Sequence, residues 1–154
     1  MTETYAPPKQ LEAWVAFLRA HAAVTRELSA DLQREHGLTL NDYEVLLHLS
    51  HAEGEQLRRV DLANRVLLTA SGVTRLLDGL ERAGLVTKET CASDARVSYA
   101  KLTDDGRAKL RSAGETHLRG VDELFVGRYS EAERATLAEL LGRLPLTGEP
   151  GPCS

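Results

Sequence analysis

The stretch Leu67-Leu68-Thr69-Ala70-Ser71-Gly72-Val73-Thr74-Arg75-Leu76-Leu77-Asp78-Gly79-Leu80-Glu81-Arg82-Ala83-Gly84-Leu85-Val86 decides the fold. Thr69 carries a hydroxyl suited to capping a helix start. Val73, Leu76, Leu77 and Leu80 then follow at i, i+3, i+4 and i+7, the spacing of one buried helical stripe. Gly84 reads as the terminator. Burial of that stripe leaves the opposite face exposed, and it presents Ser71, Thr74 and Arg75 near the helix start. Upstream, Val60, Ala63, Val66 and Leu67 mark the inner face of another short helix, so a tightly connected helix pair is expected.

Downstream, Leu85 to Cys91 and Val97 to Leu102 alternate as strands do, and Ala92-Ser93-Asp94-Ala95-Arg96 joins them. A hairpin directly after an exposed-faced helix is a wing. The side chains suit duplex DNA: Arg75 can donate two hydrogen bonds to guanine O6 and N7, and Thr74 can offer its methyl to thymine. Hydroxyls and helix N-terminal amides can hold phosphates. Arg96, at the wing tip, can enter a minor groove, and Asp94 can steady it by a charge-assisted hydrogen bond or tighten the loop as an Asx-turn. The candidate DNA-binding residues are therefore Thr69, Ser71, Thr74 and Arg75 on the helix, Arg58 ahead of the helix pair, and Asp94 and Arg96 in the wing.

Long helices flank this core. From Gln10 the positions Leu11, Trp14, Leu18, His21, Thr25, Leu28 and Leu32 recur at threes and fours, predicting one helix that stops near His36-Gly37. Thr39 with Asp42 resembles a capping box for a second helix, buried through Tyr43, Leu46, Leu47 and Leu49 and closed by Gly54. Toward the C-terminus, Leu110, Ala113, His117, Leu118, Val121, Leu124 and Phe125 line a helix starting near Asp104. Ser130 with Glu133 opens a last one, which carries Leu137, Leu140, Leu141 and Leu144 and ends at Pro145. The expected fold is mainly α with a small β-hairpin wing (α+β), a winged helix-turn-helix. Its parts are an N-terminal helix (1–36), a DNA-binding lobe (37–103), C-terminal helices (104–146) and a flexible tail (147–154).

With 42% hydrophobic and 27% charged residues the chain is expected to fold as a globular protein. Its longest apolar run, Ala13 to Leu18, is too short to span a bilayer, so no membrane partner is expected. Met1-Thr2-Glu3-Thr4-Tyr5 lacks the pattern of a secretory signal, and Cys91 and Cys153 form no disulfide framework, so a cytoplasmic setting is expected. The net charge of −4 hides an asymmetry: Leu57 to Leu110 sums to +3 and the remainder to −7. The basic share lies where phosphate contacts are expected.

The quoted stretch resembles the recognition helix and strand entry of MarR-family regulators. Asp94-Ala95-Arg96 followed by Leu102-Thr103-Asp104-Asp105-Gly106-Arg107 is similar to that family's Asp-x-Arg wing and its Leu-Thr-x-x-Gly entry to the next helix. Leu38 to Leu46 is similar to the start of its second helix. The resemblance covers Leu11 to Leu144 and implies a homodimer whose interlocked terminal helices set two wings astride a palindromic operator on double-stranded DNA. It also implies transcriptional regulation, usually repression, under small-molecule control. Trp14, Phe17, His21 and Tyr43 fall where the family forms a pocket, which would suit an aromatic or phenolic ligand. Two departures stand out: Ala95 replaces a second wing Arg, and Thr87-Lys88-Glu89 is less basic than the usual strand.

Other chemistries find less support. The five histidines have no ligand spacing beyond His48 and His51 at i, i+3, so no metal or cofactor is expected. Cys91 beside the wing is a candidate redox switch without an evident partner thiol, and a half-buried strand residue explains it as well. No phosphate loop, nucleophile motif or isolated carboxylate pair suggests an enzyme. A winged-helix module that binds only protein is the alternative that the acidic total would suit.

Overall fold

The computed structural model describes residues 8–66 and 68–145. Leu67, Cys153 and the tail 147–154, all assigned above, lie outside the described residues. Helix α1 (Glu12–His36) ends where Gly37 takes a left-handed φ of 69°, a conformation that costs glycine no steric penalty. Helix α2 (Leu40–His51) opens with a complete capping box: the Asp42 N–H donates to the Thr39 hydroxyl at 3.1 Å, and the Thr39 N–H donates to the Asp42 carboxylate at 2.8 Å. The helix closes at Ala52, ahead of the expected Gly54, which lies instead in a 3-10 turn leading to strand β1 (Gln56–Arg58).

Helices α3 (Arg59–Val66) and α4 (Ala70–Arg82) form the helix pair, and strands β2 (Val86–Thr90) and β3 (Ser98–Leu102) form the wing. The sheet has the order β1-β3-β2, all antiparallel, with Val86 opposite Leu102, Thr90 opposite Ser98 and Leu57 opposite Ala100. Strand β1 escapes sequence reading because its three residues hold a single apolar side chain, too few to show alternation. Helices α5 (Asp104–Leu124) and α6 (Glu131–Leu141) follow, capped by Thr103 and Ser130.

The core gathers around Leu32 of α1, Val45, Leu46 and Leu49 of α2, Leu62 of α3, Val73 and Leu77 of α4 and Val86 of β2, all essentially buried. One expectation for α3 is corrected. Val60 was placed on the inner face but is 58% exposed, and Leu62 takes the buried position. With α3 starting at Arg59, the stripe facing the core is Leu62, Ala63 and Val66, and Val60 turns away from it.

The stripe of α1 divides in two. Leu28 and Leu32 are buried, whereas Leu11, Trp14, Phe17 and Leu18 are exposed, as are Leu118 of α5, Leu140 of α6 and Leu144 beyond it. The apolar residues at both ends of the described chain therefore exceed what one copy covers.

Helix α5 meets the wing at very short range. The Thr103 N–H donates to the Leu85 carbonyl at 3.1 Å, the Thr103 hydroxyl donates to the Gly84 carbonyl at 2.7 Å, and the Gly106 N–H donates to the Thr103 hydroxyl at 2.9 Å. A Cβ on Gly106 would stand 2.1 Å from the Leu85 oxygen and 2.8 Å from Leu102 Cδ1, so no side chain fits without moving backbone. Gly79 of α4 has open space around it. Gly106→Ala should therefore destabilise the fold by about 2–3 kcal/mol through overpacking. Gly79→Ala should stabilise it by about 0.4–1 kcal/mol, since a helical site tolerates Cβ and the unfolded chain loses freedom. Urea melts of the two variants should shift in opposite directions.

Candidate nucleic-acid interface

The exposed face of α4 is built by its cap. Thr69, in extended conformation, accepts the Gly72 N–H at 3.1 Å, and its hydroxyl lies 3.2 Å from that of Ser71. Burial of Val73, Leu77 and Leu80 turns Ser71 and Arg75 outward, where both are exposed, and leaves Thr74 half-buried beside α3. There the Arg59 guanidinium donates to the Thr74 hydroxyl at 3.3 Å, tying the first residue of α3 to the exposed side of α4. Arg58, one residue earlier, makes a two-pronged pair with Asp61 (2.8 and 3.1 Å). This pairing holds its guanidinium over the start of α3 while half of the side chain stays exposed.

The wing tip is a tight turn. The Val97 N–H donates to the Asp94 carbonyl at 3.0 Å, and the Cys91 N–H to the Val97 carbonyl at 3.0 Å. The Asp94 carboxylate accepts the Arg96 N–H at 3.0 Å and the Arg96 Nε–H at 3.3 Å. Both expected roles of Asp94, the Asx-turn and the partner for the guanidinium, are thus made by one oxygen. The Arg96 side chain is 93% exposed, held at its base and open at its tip. The Cys91 thiol lies 3.1 Å from the Ser93 hydroxyl, which with backbone hydrogen bonds lowers its pKa from the usual thiol value.

Lys88 on β2 does not stand as a free surface cation. Its ammonium lies 2.6 Å from Asp78 and 3.1 Å from Glu81, both on α4. Hydrogen bonding to Asp78 first and Glu81 second raises the Lys88 pKa, and the bond from Lys88 lowers that of Asp78. Sequence reading missed this cluster and the Arg59 contact. The spacing of Asp78 and Glu81 at i, i+3 was visible, but their partner, Lys88, lies across a turn on another element.

The four residues assigned to a ligand pocket separate into two groups. Trp14, Phe17 and His21 form a row along the exposed face of α1, with ring centroids 6.2 and 6.4 Å apart. Tyr43 is buried in the core, 4.7 Å from the ring of His117, and does not join the row. Burial lowers the His117 pKa, and its Nδ1 is the buried side-chain polar atom without a partner among the described residues. Among the described residues no group of three or more His, Cys, Asp or Glu is arranged to hold a metal, and no helix is long and apolar enough to cross a membrane.

Comparison with known proteins agrees with this architecture. The MarR family model matches residues 36–97, from the end of α1 to the wing turn, just ahead of β3. The regulator MhqR of Bacillus subtilis is 26% identical over 92% of this chain and 94% of its own. Two solved Streptomyces coelicolor regulators of the MarR family are similar. AbsC is 32% identical, with a TM-score of 0.80 over 89% of this chain and 92% of that one. Sco3205, solved in complex with DNA, is 27% identical, with a TM-score of 0.82 over 90% of each. These relatives are transcriptional regulators rather than enzymes, and the match to AbsC spans nearly its whole length. A helix pair whose second helix is capped by Thr69, a wing with an exposed Arg at its tip and this likeness together show that the chain belongs to the MarR family of DNA-binding transcriptional regulators.

Proposed function

We propose that the protein is a homodimeric repressor that grips a palindromic operator and is released by a small aromatic ligand. The observation that carries the DNA part is the pairing of an outward Ser71 and Arg75 on a capped helix with a 93% exposed Arg96 on the adjoining wing. One element suits a major groove and the other the neighbouring minor groove. Thr69 and Ser71 hydroxyls suit phosphates, Thr74 suits a thymine methyl, and Arg58 suits the backbone once it leaves or shares Asp61.

The dimer is supported by the uncovered apolar residues at both ends of the described chain: Leu11, Trp14 and Leu18 on one side, Leu118, Leu140 and Leu144 on the other. A second copy of the same surface is the self-complementary partner that closed two-fold symmetry provides. Residues 1–36 and 104–146 are thus assigned to dimerisation and 37–103 to DNA. A dimer seated on a duplex excludes other proteins from it, and repression follows most simply from that exclusion.

The aromatic row Trp14, Phe17 and His21 supports a ligand with a flat ring. Glu44 on α2 feels His21 electrostatically: burial raises the Glu44 carboxyl pKa, and His21 pulls it down by a smaller amount. Tyr43, in the core, would act only by transmitting a shift of α2. Trp14 is the single tryptophan, so its fluorescence reports the site unambiguously.

Selection of bound sequences from random duplex DNA tests the reading. An inverted repeat with half-sites about one helical turn apart is expected, and no enrichment above non-specific binding would overturn it. On the selected duplex, Arg75→Ala and Arg96→Ala should each cost about 1–3 kcal/mol of binding and relax base preference at a separate position in each half-site. Charging the C-terminal face with Leu140→Asp and Leu144→Asp should give a sedimenting monomer that has lost operator binding while its helix content persists. A phenolic ligand should quench Trp14 fluorescence and weaken operator binding, and a Trp14→Phe protein that responds as before would remove the row from ligand binding.

A further inference from the structure

The outer part of strand β2 buries no side chain of its own, although its partner strand β3 reaches the core at Ala100, opposite Lys88. Val86 is buried at the base of β2, but the four residues that follow it on the strand are exposed. What joins this exposed part to α4 is the Lys88 ammonium, 2.6 Å from Asp78 Oδ1 and 3.1 Å from Glu81 Oε2. Asp78 and Glu81 are three residues apart, so both carboxylates leave one side of the helix toward β2. The three side chains keep between 33% and 46% of their surface exposed, which partly shields the pairs from water.

Two carboxylates on the helix that approaches a polyanion are unfavourable for affinity in themselves. Their place is explained if they serve geometry. We infer that Lys88, Asp78 and Glu81 form a clamp that sets the angle between recognition helix and wing, with Lys88 a positioning residue rather than a phosphate contact. The inference rests on the DNA-binding reading given above. Helix and wing are two contacts carried on one body, and their combined strength depends on both reaching the duplex at once. A wing freed from α4 loses that advantage on the operator, where both contacts are needed in register. It keeps simple charge attraction to any duplex. Exposed ion pairs contribute little to folding, so the clamp variants remain folded.

The test sets charge against geometry. Affinities for the selected operator and for a scrambled duplex are measured by fluorescence anisotropy for the wild type, Asp78→Asn/Glu81→Gln, Lys88→Met, the triple variant and Lys88→Arg. If only charge matters, removing two carboxylates tightens binding to both duplexes. The clamp predicts the opposite on the operator, a loss of about five- to tenfold, with scrambled binding kept or tightened. Lys88→Met should lose a similar factor on the operator, the triple variant should be no worse than Lys88→Met, and Lys88→Arg should retain most of the affinity. Unchanged or tighter operator binding by Asp78→Asn/Glu81→Gln, or parallel loss on both duplexes, would overturn the clamp. A wild type that does not distinguish operator from scrambled duplex would overturn the DNA reading and the clamp with it, whereas a discriminating wild type with an unchanged ratio in the variants overturns the clamp alone.

Discussion

The Leu85 carbonyl is the point on which the rest of the molecule turns. It accepts the Thr103 N–H at 3.1 Å, and the same oxygen leaves no room for a side chain on Gly106. The end of the recognition helix, the root of the wing and the first turn of α5 therefore meet backbone to backbone. Backbone contacts of this kind have little slack, because neither partner can change rotamer to relieve a shift. Gly84 makes the meeting possible: its left-handed φ of 74° turns the chain from α4 into β2 within the three residues Ala83 to Leu85.

From that junction, order spreads in two directions. Toward the proposed DNA-facing surface, α4 is fixed by its buried stripe, by the Thr69 cap and by the Arg59 contact to Thr74, so Arg75 projects from a well-anchored helix. Toward the chain ends, α5 runs alongside α1 and is stitched to it by Thr116, which is buried, bonded to His36 at 2.8 Å and donating to Glu35 at 2.8 Å. Arg119 adds a two-pronged pair to the same carboxylate at 3.0 Å. Those hydrogen bonds hold the Glu35 carboxyl below its usual pKa, that from Thr116 foremost. A displacement at the apolar ends thus has a continuous, well-bonded route along α5 to the wing root. In the proposed dimer, that route would be the physical means by which a change between the terminal helices alters wing spacing, as population shift requires.

Much of this was legible in the sequence because it depends on short-range rules. The capping boxes at Thr39 and Ser130, the Thr69 cap, the stripe from Val73 to Leu80 and the hairpin after Gly84 each involve residues a few positions apart, and each forms as expected. What escaped depends on distance or on exact helix phase. Strand β1 exists only because β3 offers an edge to it, and the Lys88 clamp joins residues on two elements. Val60 was misplaced because the phase of an eight-residue helix depends on where it starts. The α1 stripe was read correctly as apolar, but periodicity cannot say that only Leu28 and Leu32 meet the chain's own core while Trp14 and Leu18 do not. Tyr43 shows the same limit, since an aromatic residue on a helix reads alike whether it stacks on a core histidine or faces a ligand.

The account's central claim is that two copies of one rigid helix-and-wing unit address a single duplex. Hydroxyl-radical footprinting of the selected operator tests it directly, because sugar protection maps backbone and minor-groove contacts at single-nucleotide resolution. The account predicts two symmetry-related sets of protections, each a major-groove flank from α4 with an outer minor-groove patch from the wing, and loss of only the outer patches in Arg96→Ala. A single unsymmetrical footprint, or protection without outer minor-groove patches, would contradict it.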